Sequence, residues 1–89
     1  MDKQQLHEQL EQLHEELAQV KTLDSTEAEI LRHLADDIQE ILEREEHHAE
    51  HYSGLGERLN AAVARIEASH PRTTEAMRQV IDQLAYLGI

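Results

Sequence analysis

Leu6, Leu10, Leu13, Leu17 and Val20 are spaced by alternating steps of 4 and 3 residues. Only an α-helix sets such a series along one line of its surface, and here Glu and Gln fill nearly every position between. The result is a narrow, strict seam of the kind that seats one helix against another. A seam two residues wide in every seven has no value alone, so the rest of the chain, or a second chain, must cover it. The chain has 89 residues and no cysteine, which allows one domain without disulfide support. A chain of this length buries only about 60% of the surface it exposes when unfolded, which leaves well-registered helix packing or self-association to hold it together.

The spacing predicts a first helix over residues 2–21. Asp24-Ser25-Thr26-Glu27 follows, in which Asp24 is placed to cap a second helix and Glu27 to reach back to it, while Leu23 is placed to staple onto Ala28. Helix 2 carries Leu31, Leu34, Ile38 and Ile41 in the same repeat, widened by Ile30 and Leu42 into a face broad enough for two neighbours. Past Leu42 the stripe positions become Glu45, His48 and Tyr52, so the helix is expected to run on to about residue 52 while leaving the dry core. Ser53-Gly54-Leu55-Gly56 is the expected break, with Ser53 as cap of a third helix bearing Leu55, Leu59, Ala62, Val63 and Ile66. Ser69-His70-Pro71 ends that helix, because a residue before proline is pushed out of helical geometry and proline suits a first helical turn. Helix 4 carries Met77, Val80, Ile81, Leu84 and Leu87 and stops at Gly88.

The expected fold is therefore all-α: four helices in one domain, residues 1–52 an acidic hairpin and residues 53–89 a charge-balanced pair. Helix 2, at roughly 26 residues and 1.5 Å each, would be about 39 Å long, with helices 3 and 4 little more than half of that. Unequal helices favour a coiled-coil-like bundle completed by a homodimer of two hairpins. Its interface would be Leu6, Leu10, Leu13, Leu17, Val20, Leu31, Leu34, Ile38 and Ile41. A lone bundle with a projecting helix 2 is the alternative.

Charge narrows the possible partners. Residues 1–52 hold fifteen acids against Lys3, Lys21, Arg32 and Arg44, a balance of −11, whereas residues 53–89 hold four of each sign. Such a chain repels nucleic acid and anionic lipid, and its aromatic content of 2%, Tyr52 and Tyr86, gives no stacking surface for bases or for a ligand pocket. No stretch approaches the roughly 20 apolar residues of a membrane span. The start, Met1-Asp2-Lys3-Gln4-Gln5, lacks the apolar run of a signal peptide, so a cytoplasmic setting is expected. A solvated acidic face and an electrostatic surface for a basic protein both fit these charges.

Chemistry is sparse. His47 and His51 are four apart with Glu43 a turn earlier, an arrangement that could hold zinc or nickel on one helix face. It lacks the HExxH order of a catalytic site and a fourth ligand for a structural one. His7 and His14 flank the helix 1 seam, His33 falls on the outer face of helix 2, and Ser25, Ser53 and Ser69 sit at turns and caps. Carboxylates are plentiful, but acid–base work needs a pocket that shifts them, and a helical rod offers none. No enzymatic activity and no cofactor are expected.

Arg58-Leu59, Ile66-Glu67-Ala68-Ser69-His70-Pro71, Met77-Arg78-Gln79 and the ending Asp82-Gln83-Leu84-Ala85-Tyr86-Leu87-Gly88-Ile89 together resemble a family of small bacterial proteins catalogued as domain of unknown function 4404. Leu10-Glu11-Gln12-Leu13-His14-Glu15-Glu16-Leu17 and the pair Asp37-Ile38 are similar to it as well. The His-Pro junction and the Leu-Gly-Ile terminus are the most specific parts of the likeness, and Ile66 stands where a bulky aromatic is common. The resemblance implies a bacterial helical protein of the same length and brings no activity with it. The functional expectation is a non-enzymatic module that self-associates and offers an acidic surface to a protein partner. The alternative is a metal-responsive protein working through the histidine-rich end of helix 2.

Overall fold

Four helices make up the computed structural model: α1 (Asp2–Gln19), α2 (Ser25–Glu43), α3 (Leu55–Ile66) and α4 (Pro71–Leu87). The structure describes residues 2–21, 24–44, 52 and 54–88, and no strand occurs among them. Each helix packs against its neighbours in the ring α1–α2–α3–α4, and α4 closes the ring against α1. The contact of α1 with α4, the helix farthest from it in the chain, is more extensive than its contact with α2. Gln19, Val20 and Lys21 at the end of α1 lie beside Pro71, Arg72 and Thr73 at the start of α4, so these two helices run antiparallel. The molecule measures 35 × 22 × 19 Å with a radius of gyration of 12.3 Å. A compact chain of this length is expected at about 12.1 Å.

Local chemistry sets the helix limits. Asp24 Oδ1 accepts the Glu27 N–H at 2.8 Å, and Glu27 Oε1 accepts the Asp24 N–H at 3.4 Å, the reciprocal cap that the sequence indicates. At the other junction the His70 N–H reaches the Ile66 carbonyl at 2.8 Å and Pro71 opens α4. Gly88 ends α4 at φ 74°, a left-handed conformation that costs glycine nothing. Leu23 and Ser53, expected as staple and cap, lie outside the described residues. The N-cap of α3 is Gly54, also left-handed at φ 78°, which has no side chain to offer as a cap.

The core departs from expectation in where it finds its cover. Leu6, Leu10, Leu13, Leu17, Leu31, Leu34, Ile38 and Ile41, expected between two chains, are buried within one, and Val20 packs against the same cluster. Leu55, Leu59, Ala62 and Ile66 of α3 and Met77, Val80 and Leu84 of α4 complete that cluster. The premise of unequal helices also changes. Helix 2 stops at Glu43 rather than near residue 52, because Arg44 turns extended at ψ 138°, so α2 has 19 residues and α4 has 17. Helix 2 therefore does not project, and although α3 stays short at 12 residues, α2 and α4 are close in length to α1 and can cover its seam from the same chain.

Tyr52, expected at a polar helix end, is instead 3% exposed and belongs to the core. Burial disfavours its phenolate and raises its pKa above the ordinary 10.0. The folded state thus holds the proton more tightly than the unfolded state. Stability from this group is intact below pH 10 and is lost as pH rises from there through the folded-state value. Denaturant melts at rising pH should show this alkaline loss, and Tyr52→Phe should reduce it. An unchanged alkaline loss in the variant would place its cause elsewhere.

Leu13 is fully buried, whereas Gln12 beside it is exposed. Leu13→Glu puts an unpaired charge into the core, at a cost of about 3–5 kcal/mol against a total stability of about 4–13 kcal/mol for a chain of this size. Chemical denaturation should show Leu13→Glu largely unfolded or severely weakened and Gln12→Glu close to the parent. A folded, helical, monomeric Leu13→Glu chain would mean that the seam does not hold this bundle together.

Candidate interaction surface

Seven-residue spacing governs the outer faces as well as the core. Glu8 and Glu15 on α1, and Glu29, Asp36 and Glu43 on α2, are all exposed and stand opposite the buried leucines of their own helices. Because each set repeats every seven residues, each forms a row along its helix. A shallow groove of about 310 Å³ runs between the helices, lined by Leu17, Ala18, Val20, Ala28, Leu31 and Ala35, with His14 and Arg32 at its rim. The alanines keep it open, since longer side chains at 18, 28 and 35 would fill it.

Few of these acids are neutralised. Among the described residues the ion pairs are Arg58 Nε with Asp37 Oδ2 at 3.2 Å, Arg44 Nη2 with Glu40 Oε1 at 3.4 Å, His7 Nε2 near Glu11 Oε1 at 3.7 Å, and Arg78 with Glu67. Asp37–Arg58 ties α2 to α3, and Glu67–Arg78 ties the end of α3 to α4. Glu8, Glu15, Glu29 and Asp36 make no ion pair with a described residue, while Glu43 accepts a hydrogen bond from Gln39 at 3.2 Å. The pairs that knit the bundle thus involve α3 and α4, and the rows on α1 and α2 are left bare.

These groups meet the sequence expectations unevenly. His33 is exposed, and His7 and His14 are half-buried beside the seam. Ser25 opens α2 behind its Asp24 cap, and the Ser69 hydroxyl donates to the Ile66 carbonyl at 3.5 Å. Of the candidate metal ligands, Glu43 is exposed at the last turn of α2, and His47 and His51 lie outside the described residues. No group of three or more His, Cys, Asp or Glu placed to hold a metal occurs among the described residues, nor does any helix there have the length and apolarity to cross a membrane. The alanine-floored groove has no counterpart in the sequence reading, and neither do the buried Thr73, Thr74 and Gln83 of α4. The one available signal for the groove was alanine recurring beside the apolar stripes of helices 1 and 2.

A family model matches the sequence over residues 6–89. The chain belongs to the domain of unknown function family DUF4404. No curated protein and no solved structure matches it. For this DUF4404 chain, therefore, the arrangement of its own surface supplies the functional evidence.

Like charges held in rows repel, and the fold carries that cost. Replacing Glu8, Glu15, Glu29 and Asp36 together by Gln and Asn should raise the melting temperature at low salt. The difference should shrink toward zero near 1 M salt, where the screening length falls to about 3 Å. A variant less stable than the parent at low salt would show that these carboxylates hold the bundle together rather than face a partner.

Proposed function

We propose that this DUF4404 chain is a non-enzymatic interaction module that presents the α1–α2 face to a basic protein surface. The exposed Glu8, Glu15, Glu29 and Asp36, which make no ion pair with a described residue, together with the apolar groove between α1 and α2, carry this reading. Lysine or arginine side chains of a partner meet these carboxylates, and small apolar side chains enter the groove. Such complementarity sets encounter rate and partner choice more than raw affinity, so binding should be fast and salt-sensitive. Arg32, which also lines the groove, opposes a purely cationic partner and favours one with apolar residues facing the groove.

Self-association belongs to this proposal only through a surface other than the leucine seam. The net charge of −11 opposes the approach of two acidic faces, although salt screens it over about 8 Å at physiological strength.

Affinity capture from the native cell extract tests the reading. The parent chain should retain basic proteins that a Glu8→Gln, Glu15→Gln, Glu29→Gln, Asp36→Asn variant loses. A control carrying Glu57→Gln on α3 and Asp82→Asn on α4 should retain them. Rim charges contribute roughly 0.2–1 kcal/mol each when they pair, so purified partners should bind the quadruple variant several-fold to hundreds-fold more weakly. Identical retention by all three proteins would refute the acidic face as the docking surface.

A further inference from the structure

Lys21 and Arg72 face one cleft. It lies between the end of α1 and the first turn of α4, has a volume of about 490 Å³, and is lined by Lys21, Arg72, Thr73, His70 and Glu16 among others. Two cations and one carboxylate, Glu16, line it, and Glu15 and Glu75 stand with Arg72 in the adjoining grooves.

The 17-residue helix α4 presents its first turn to this cleft, and its N-cap residue, His70, gives it no side-chain cap. Pro71 has no N–H, and the Thr74 N–H is satisfied by the His70 carbonyl at 3.1 Å. The N–H groups of Arg72 and Thr73 have no acceptor among the described residues. This contrasts with α2, whose first turn is closed by Asp24 and Glu27. A free helix start attracts anions through its N–H groups and its dipole.

Thr73 provides a second and independent indication. It is only 4% exposed, yet its hydroxyl makes no hydrogen bond to any described residue. The adjacent Thr74 hydroxyl, by contrast, donates to the Pro71 carbonyl at 2.9 Å. Gln9 Oε1 is the one fully enclosed side-chain polar atom without a partner among the described residues, so the Thr73 oxygen remains open to the cleft that its residue lines. A buried side chain whose unpaired polar tip meets a cation-lined cleft is placed to donate to a ligand.

We infer that this cleft binds a phosphate group, either free or as a monoester. A tetrahedral dianion offers oxygens in several directions, which suits donors arriving from a helix N-terminus, a hydroxyl and two cations. Arg72 and Lys21 supply the charge, Thr73 and the first-turn N–H groups supply direction, and Glu16 opposes binding. This site borders the acidic face through Glu15, which lines a groove with Arg72 and Glu16, but it does not depend on the function proposed for that face.

Nuclear magnetic resonance of the isotope-labelled full chain tests the inference, with inorganic phosphate and glycerol phosphate titrated at constant ionic strength against sodium chloride. The amide signals of Arg72 and Thr73 should shift saturably with phosphate. Arg72→Gln and Lys21→Gln should weaken binding several-fold, Glu16→Gln should tighten it, and Thr73→Val should weaken it with no change of charge. Glycerol phosphate binding as well as free phosphate would identify a monoester as the occupant, and far weaker binding would identify the free ion, both within the inferred chemistry. Shifts that follow chloride equally, or that persist unchanged in Arg72→Gln, would overturn it. Should Thr73→Val fail to fold, the surface changes Arg72→Gln and Glu16→Gln decide by their opposite signs.

Discussion

Closure of α4 on α1 is the contact on which the rest of this structure depends. A two-in-seven leucine seam is too narrow to hold a helix in place by itself, and α2 covers it from one side only. The remaining cover comes from the far end of the chain, with α4 lying antiparallel against α1. Ordering that much chain for one contact is entropically expensive, and the shared core of Leu6, Leu10, Leu13, Met77, Val80 and Leu84 offsets it by removing apolar surface from water. Because both the first and the last helix are needed to enclose that core, losing either one exposes the other, which makes the bundle cooperative.

What could be read in advance was whatever local chemistry decides. The seam, the Asp24–Glu27 cap, the His70-Pro71 junction and the Gly88 stop depend on residues within one or two turns, and all four stand in the structure as the sequence indicates. What covers the seam was not legible. A leucine repeat has the same spacing whether its partner is another chain or a helix that returns from the far end of its own. The length of helix 2 was misjudged for a related reason: nothing in Leu42-Glu43-Arg44 breaks a helix by propensity, yet Arg44 is extended. Tyr52 then enters the core from outside any long helix, which a periodicity argument cannot anticipate.

The candidate surface was half legible. The acidic bias of the first part of the chain is plain from composition, but the apolar groove between α1 and α2 follows only from their packing. Alanine reads as neutral in a sequence, and Ala18, Ala28 and Ala35 acquire meaning by what they fail to fill. Thr73 is equally quiet as a letter after Pro-Arg, and its burial at the edge of the cleft emerges only from the packing of α4 against α1. The fold thus uses its apolar residues almost entirely on itself, with Tyr86, at 75% exposed, as the one large exception among the described residues. Recognition is left to charge and to small features of shape.

The dependence of the unfolding midpoint on protein concentration tests most directly whether one chain completes its own core. Melts followed by circular dichroism over about a hundredfold range of concentration, at physiological and at high salt, separate the two possibilities by mass action. A core enclosed within one chain predicts the same midpoint at every concentration, with light scattering giving a helical species of 10.3 kDa at the lowest. A midpoint that climbs with concentration, together with helicity lost on dilution, would show that a second copy is needed to cover the seam and would contradict the closure of α4 on α1.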